Sequence, residues 1–149
     1  MPIKKYALVA NDKIQVEGNT LFRIKALRNI GTKIKKGDIG GYIQREENLS
    51  QLNKCWIYDN ACVFGNARVL ENAQVSGDAH VSGNAWVSRN ARVSGNARVF
   101  GDALIFGNAC ISGNAWVYGD ACVFKNAHVS GDVEVSGDEQ VSDNTIVGR

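Results

Sequence analysis

The sequence predicts an all-β protein in which a triangular parallel β-solenoid of about five turns follows a small N-terminal β-cap. One observation is a six-residue repeat, as in VSGNAW at 81–86, that runs through fifteen consecutive hexads from Ile57 to Ile146. A second is that the fourth hexad position is Asn or Asp throughout and the third is Gly in ten hexads. A third is the strand-like alternation of apolar and polar residues in the first 50 residues.

The N-terminal part, residues 1–54, contains four segments with the alternation typical of β-strands. ND, GN and KGD sequences lie between them and indicate turns. We expect these strands to form a cap that covers the N-terminal edge of the solenoid, residues 55–149, because an unpaired edge promotes aggregation. The four segments are YALVA (6–10), KIQVEG (13–18), TLFRIKAL (20–27) and GGYIQ (40–44).

In the repeat, the first position of every hexad is Ile or Val, and the fifth is Ala in twelve successive hexads from Ala61 to Ala127. A helix needs apolar residues at a period near 3.6, and Gly-Asn every six residues would interrupt it. Very short strands fit the pattern, with Val or Ile pointing inward and a corner at Gly-Asn-Ala. Three such sides give 18 residues per turn, five turns, and a length of roughly 24 Å at about 4.8 Å per turn.

The pattern [Ile/Val]-x-x-x-Ala-x, as in VSGNAW and ISGNAW, resembles the hexapeptide-repeat superfamily over residues 57–146. That resemblance implies a left-handed parallel β-helix. The period alone leaves the handedness open, and general crossover statistics favour the opposite hand. The lead-in GDIGGYIQREENLSQLNKCWIYDNA (37–61), followed by near-perfect repeats, is similar to uninterrupted hexapeptide-repeat proteins often found in phages and prophages.

Charge divides the chain unequally, although the net charge is only +2. Residues 1–54 carry 11 Lys and Arg against 5 Asp and Glu, a net +6, and residues 55–149 carry 6 against 10, a net −4. An acidic solenoid argues against a surface that follows nucleic-acid phosphates. The basic turn GTKIKKGD is a candidate contact for RNA or an acidic protein, through Lys33, Lys35 and Lys36, or else a solvated turn.

The apolar runs and the cysteines of the sequence predict the cellular location of the protein and the redox state of its thiols. No apolar run approaches the roughly 18 residues of a membrane span, and MPIKKYALVA is a weak signal peptide. We therefore expect a cytoplasmic protein with reduced thiols and no membrane partner. Cys55 takes the Ala position of the degenerate hexad QLNKCW and should be buried. The other three, Cys62, Cys110 and Cys122, point outward from three different sides, which excludes a disulfide or metal site within one chain.

Many hexapeptide-repeat proteins are acyltransferases or nucleotide-sugar-modifying enzymes, with a protruding loop and a catalytic His in a cleft between subunits. This chain departs from that pattern because its hexads are uninterrupted. Its two histidines, His80 and His128, are 48 residues apart, which is not a multiple of 18 and places them on different sides. A catalytic general base needs a reacting group positioned beside it, and the zinc carbonic anhydrases of the family need three His ligands around one metal. Two histidines on different sides cannot supply three ligands. We expect no catalytic residue, cofactor or metal.

The outward residues sort into three columns. One column is a polar ladder of Ser76, Ser94, Ser112 and Ser130, which should face water. The other two columns flank a corner that is Gly on every turn, from Gly65 to Gly137. Contiguous exposed apolar patches usually mark partner surfaces, although scattered surface aromatics are normal. The predicted interface comprises Phe64, Trp86, Phe100, Leu104, Phe106, Trp116, Tyr118 and Phe124.

The next corner carries charged residues that oppose each other on adjacent turns, Glu71 with Arg89 and Lys125 with Asp143.

The sequence as a whole favours a non-enzymatic interaction protein that binds itself, as a homotrimer by resemblance or as a homodimer, and binds a host protein. The phage resemblance implies an inhibitor of a host protein such as a CRISPR-type defence nuclease. The alternative is an acyltransferase or nucleotide-sugar-binding enzyme whose site forms between subunits.

Overall fold

The computed structural model describes residues 4–142 and the backbone of strand Ile146–Val147. Three strands come first: β1 (Tyr6–Val16), β2 (Asn19–Ala26) and β3 (Ile39–Ile43), followed by a 3-10 turn at Glu46–Asn48. Strands β4 to β19 then recur every six residues and are two residues long. They are Trp56–Ile57, Cys62–Val63, Arg68–Val69, Gln74–Val75, His80–Val81, Trp86–Val87, Arg92–Val93, Arg98–Val99, Leu104–Ile105, Cys110–Ile111, Trp116–Val117, Cys122–Val123, His128–Val129, Glu134–Val135, Gln140–Val141 and Ile146–Val147.

The short strands form three parallel sheets, because each pairs with the strand 18 residues further along; Val99, for example, pairs with Val81 and Val117. We call these sheets face 1 (β5, β8, β11, β14 and β17), face 2 (β6, β9, β12, β15 and β18) and face 3 (β4, β7, β10, β13, β16 and β19). The prediction of an all-β parallel solenoid is confirmed.

The solenoid has about six stacked turns, so the expected number of five was one too few. The additional first turn consists of Ile43, which pairs with Val63, Leu49, which bridges to Val69, and Ile57. Ile43 and Leu49 are six residues apart, like first hexad positions, but eight residues separate Leu49 from Ile57. We number the turns from this one, so that Val63, Val81, Val99, Val117 and Val135 mark turns 2 to 6 on face 1.

The N-terminal strands join face 1, because β1 pairs with β2, β2 pairs antiparallel with β3, and β3 pairs with β5. The chain reverses at Glu17–Gly18, where both residues have positive φ, as a two-residue hairpin requires. The turn predicted at ND (11–12) is wrong: β1 continues through it with a bulge between Leu8 and Lys13.

A buried lysine ties the N-terminus to the first turn. Lys5 is fully buried, and its Nζ donates to the carbonyl oxygens of Cys55 (2.7 Å) and Leu52 (3.3 Å) and lies 3.2 Å from the Cys55 Sγ. Burial lowers the pKa of Lys5 and raises the pKa of Cys55. Cys55 is buried, as its Ala position predicts.

The interior and the corners follow the hexad. First-position residues such as Val99 and fifth-position residues such as Ala97 are fully buried, which confirms their inward orientation. Third positions adopt left-handed backbone, and a Cβ on Gly101 would lie only 2.8 Å from the nitrogen of Gly119 on the next turn. Fourth-position amides form ladders that the sequence analysis did not predict: Asn90 donates to Asn108 (3.3 Å), and Asn108 to Asn126 (3.1 Å).

Candidate functional site

Faces 1 and 2 meet at a corner whose third position carries no side chain on turns 2 to 6. Its third-position residues on turns 2 to 6 have φ between 61° and 68°, a conformation that glycine adopts without a steric penalty. Between the outward residues on the two sides of this glycine corner, the side chains that project are therefore those of the fourth-position Asn and Asp residues. The corner residues are Gly65, Gly83, Gly101, Gly119 and Gly137.

Large apolar side chains are exposed on both sides of the glycine corner. Trp86 and Leu104 lie on adjacent strands of face 2 and are 45% and 39% exposed, and Trp116 on face 1 is 41% exposed. In residues 4–142, the other large hydrophobics with comparable exposure, Ile39 and Leu52, belong to the N-terminal part. In residues 4–142, exposed apolar surface of this size on the solenoid thus lies on faces 1 and 2, with Trp86 and Leu104 beside the glycine corner and Trp116 at the opposite border of face 1.

The face 1 side of the corner is an ordered aromatic cluster. The Phe100 and Tyr118 rings stack with centroids 4.8 Å apart, and the Trp116 ring meets Phe100 edge-on at 5.8 Å. The Arg98 guanidinium lies 5.9 Å from the centre of the Trp116 ring, and the Tyr118 hydroxyl donates to Glu134 Oε1 at 2.7 Å. These contacts fix the rings, so little side-chain entropy remains to be lost when a partner binds.

Phe106 and Phe124 lie on the opposite border of face 2. Their rings stack at 5.1 Å, and both side chains are partly buried. The width of face 2 separates them from the glycine corner, so they form a second, smaller aromatic pair. We define the aromatic surface as Trp86, Phe100, Leu104, Trp116 and Tyr118.

Phe64 does not belong to the exposed band. It is only 4% exposed, in a cluster with Leu21, Tyr42 and Cys62, against which Ile14 and Val16 of the β1–β2 hairpin pack. In a regular solenoid, an outward side chain has no core of its own chain to enter. The hairpin supplies such a core on turn 2, which corrects the placement of Phe64 in the predicted interface.

A cleft of about 150 Å³ opens between the hairpin tip and the aromatic cluster. His80 lines this cleft, and its Nδ1 is buried and has no hydrogen-bond partner in the described residues. Burial lowers the pKa of His80, and the nearby positive charge of Arg98 lowers it further. The lining residues are Glu17, His80, Ser82, Arg98, Phe100 and Trp116.

Carboxylates line the glycine corner itself. Asp102, Asp120 and Asp138 occupy its fourth position on turns 4 to 6 and are exposed, and Asp102 accepts a hydrogen bond from Asn84 at 3.0 Å. A line of negative charge on turns 4 to 6 therefore separates the two halves of the aromatic surface.

The remaining titratable candidates stay apart from one another. His80 lies on face 1 and His128 on face 3, as their spacing predicts. Among the described residues, no group of three or more His, Cys, Asp or Glu side chains is arranged to hold a metal. All four cysteines are free thiols, and burial raises the pKa of Cys62 to about 11. In the described residues no helix is long and apolar enough to span a bilayer.

Two charged regions lie away from the aromatic surface, namely the basic turn at residues 33–36 and the corner between faces 2 and 3. Lys33, Lys35 and Lys36 are exposed, and the backbone of their loop is held by Asp38, whose carboxylate accepts from the Lys35 N–H at 2.8 Å. On the corner between faces 2 and 3, Arg89 pairs with Glu71 at 3.5 Å, as predicted. The predicted partner of Lys125, Asp143, lies outside the described residues.

Comparison with known families agrees with this architecture. Residues 73–89 and 91–105 match the model of the YdcK beta solenoid repeat, and these stretches contain strands β7 to β12. The chain is a β-solenoid repeat protein. The matched stretches include Trp86, Phe100 and Leu104 of the aromatic surface. A search of curated proteins finds no match.

Proposed function

We propose that the protein is a non-enzymatic, cytoplasmic interaction module that binds another protein through the aromatic surface. The observation that carries the proposal is the exposure of Trp86 and Leu104 on face 2 beside the glycine corner and of Trp116 in the aromatic cluster of face 1. The third corner position carries no side chain on turns 2 to 6, so a partner that accommodates the fourth-position Asn and Asp side chains can cover both apolar bands. Among the described side chains of face 3, which carries the serine ladder, no large apolar residue is comparably exposed.

The free energy available from burying the exposed apolar side chains indicates how much more a partner must contact. Full burial of a large apolar side chain contributes about 1.5–3 kcal/mol, and these side chains are already more than half buried, so each adds roughly 1 kcal/mol. Three such residues supply only about 3 kcal/mol, whereas micromolar binding needs about 8 kcal/mol. The partner must therefore also cover the neighbouring rings and supply positive charge to the carboxylates of the glycine corner.

Photo-crosslinking from matched positions tests the proposal. A benzoylphenylalanine at Tyr118 or at Leu104 should crosslink to a protein in cells. The same probe at Ser130, which occupies the hexad position of Tyr118 on the same turn of face 3, should not. Equal crosslinking from Ser130 and the two test sites, or none from Tyr118 and Leu104, would overturn the proposal.

A more specific version of the proposal makes the partner a host protein that this chain inhibits, such as a defence nuclease. Its support is the resemblance to phage hexapeptide-repeat proteins, together with the rigid aromatic surface. Addition of the protein to a purified CRISPR-type nuclease should lower DNA cleavage, and the Trp86→Glu variant should not. Unchanged cleavage with an excess of wild-type protein would exclude that nuclease as the target.

One observation favours the enzymatic alternative. His80, with its unpartnered Nδ1, lines a cleft beside the surface on which we propose that a partner docks, and a second subunit there would complete a site. Calorimetry with acetyl-CoA and with UDP-sugars should show no binding if the protein is an interaction module. Binding that disappears in His80→Gln, with the fold intact, would support an acyltransferase or nucleotide-sugar enzyme instead.

A further inference from the structure

We propose that a second copy of this chain docks on face 1 with its solenoid axis antiparallel to the first. The inference rests on the proposed function and names the occupant of the face 1 half of the aromatic surface. Three features support this arrangement: the order of charges along one column of outward residues, the rotational symmetry of a dimer, and the unequal distribution of charge along the prism.

The column consists of the outward residues that precede the core valines of face 1. From turn 3 to turn 6 these are His80, Arg98, Trp116 and Glu134, paired in register. Arg98 and Glu134 thus lie on either side of Trp116, two turns or roughly 10 Å apart at about 4.8 Å per turn. Within the described residues neither forms an ion pair, and Glu134 accepts only the Tyr118 hydroxyl.

A two-fold axis parallel to β14, between the two facing copies of face 1, reverses the order of the turns. Each column of outward residues then lies opposite the same column of the other copy. Turn 4 of one copy then faces turn 6 of the other, so Arg98 meets the partner subunit's Glu134, and Glu134 meets the partner subunit's Arg98. Trp116 and Tyr118, on turn 5, meet their own counterparts at the centre. This one rotation forms two equivalent Arg98–Glu134 ion pairs across the interface, as an isologous interface requires.

A parallel arrangement does not satisfy these charges. A two-fold axis along the solenoid keeps the turns level and exchanges the two outward columns of face 1. Arg98 would then face the partner's Phe100, and Glu134 would face the partner's Ser136. A buried guanidinium without a carboxylate costs free energy, so the charge order favours the antiparallel dimer.

The charge along the whole prism agrees with the antiparallel direction. Residues 1–54 carry a net +6, whereas Asp132, Glu134, Asp138 and Glu139 gather in turn 6. Antiparallel packing places the acidic turn 6 of each copy opposite turn 4 of the other, so that the acidic end points along its partner in the direction of the basic N-terminal part. End-to-end stacking is disfavoured, because Glu139 replaces the small corner Ala and its carboxylate accepts from the Ser136 N–H at 3.3 Å.

Charge reversal with light scattering over a dilution series tests the inference. Wild type should be a dimer, Arg98→Glu and Glu134→Arg should each weaken dimerisation by at least about tenfold, and the double variant should restore it, because each new Glu meets a new Arg. Arg92→Glu, at the same hexad position on face 3, should have no effect. Circular dichroism confirms that each variant is folded.

Three outcomes would overturn the inference. Wild type that is monomeric at all concentrations overturns it but leaves the proposed function intact if Tyr118 still crosslinks to a different protein. A dimer that the single reversals do not weaken, or that the double variant does not restore, excludes the antiparallel register. A dimer that the folded Trp116→Glu variant retains shows that face 1 is not the interface at all.

Discussion

Val99 is the residue whose replacement most directly tests the inward-facing core. It lies on turn 4, is fully buried, and pairs with Val81 and Val117. Val99→Ala removes two methyl groups, about 1.6 kcal/mol at roughly 0.8 kcal/mol each, and the cavity left behind raises the cost to about 2–3 kcal/mol. Val99→Asp buries a carboxylate with no partner and should prevent stable folding of the central turns.

Urea denaturation followed by circular dichroism measures both changes. Val133→Ala is the matched control, because Val133 occupies the small fifth position near the C-terminal end and is only partly buried, so its cost should stay below about 1 kcal/mol. Similar midpoints for wild type and Val99→Asp, or equal losses for Val99→Ala and Val133→Ala, would refute the assignment of the first hexad position to the core.

Three further predictions concern the corners, His80 and the basic turn. Gly101→Ala should lower the free energy of unfolding by about 1–2 kcal/mol in urea melts, because Gly101 has a left-handed φ. Arg89 also has a left-handed φ but already carries a Cβ, so Arg89→Ala should change the free energy of unfolding little. Equal losses for the two variants would contradict this. Burial lowers the pKa of His80, so the unfolded state takes up a proton first, and stability should fall as pH drops below about 6.5. His80→Gln should reduce that loss and His128→Gln should not, and an unchanged pH profile in His80→Gln would argue against it. Replacing the three lysines at 33–36 with Glu should weaken binding of an RNA or acidic protein and reduce its salt dependence, and unchanged affinity would assign the turn to solvent.

Much of the fold was predictable because the hexad encodes it locally. Each Val or Ile at a first position has its partner 18 residues away, so the registers of Val81, Val99 and Val117 follow from counting. The first turn was not predictable, because Ile43 and Leu49 lack the Asn-Ala corner and the spacing to Ile57 changes. The bulge at residues 11–12 was missed because Asn-Asp is compatible with both a turn and an irregular strand.

The candidate site was predictable in position but not in extent. The period placed Trp86 and Leu104 beside the glycine corner and Trp116 further back on face 1, and the structure exposes all three. The burial of Phe64 and the cleft at His80 arise from the β1–β2 hairpin folding over face 1, a tertiary contact for which the repeat carries no signal.

The most direct test of the central claim is the crosslinking yield from Tyr118 in a chain that carries Trp86→Glu and Trp116→Glu. Both tryptophans are more than 40% exposed, so the variant should remain folded, which circular dichroism verifies. If the aromatic surface binds a protein, whether a second copy or another chain, the yield should fall to that of the Ser130 control. A folded variant that crosslinks from Tyr118 as well as wild type would contradict the claim.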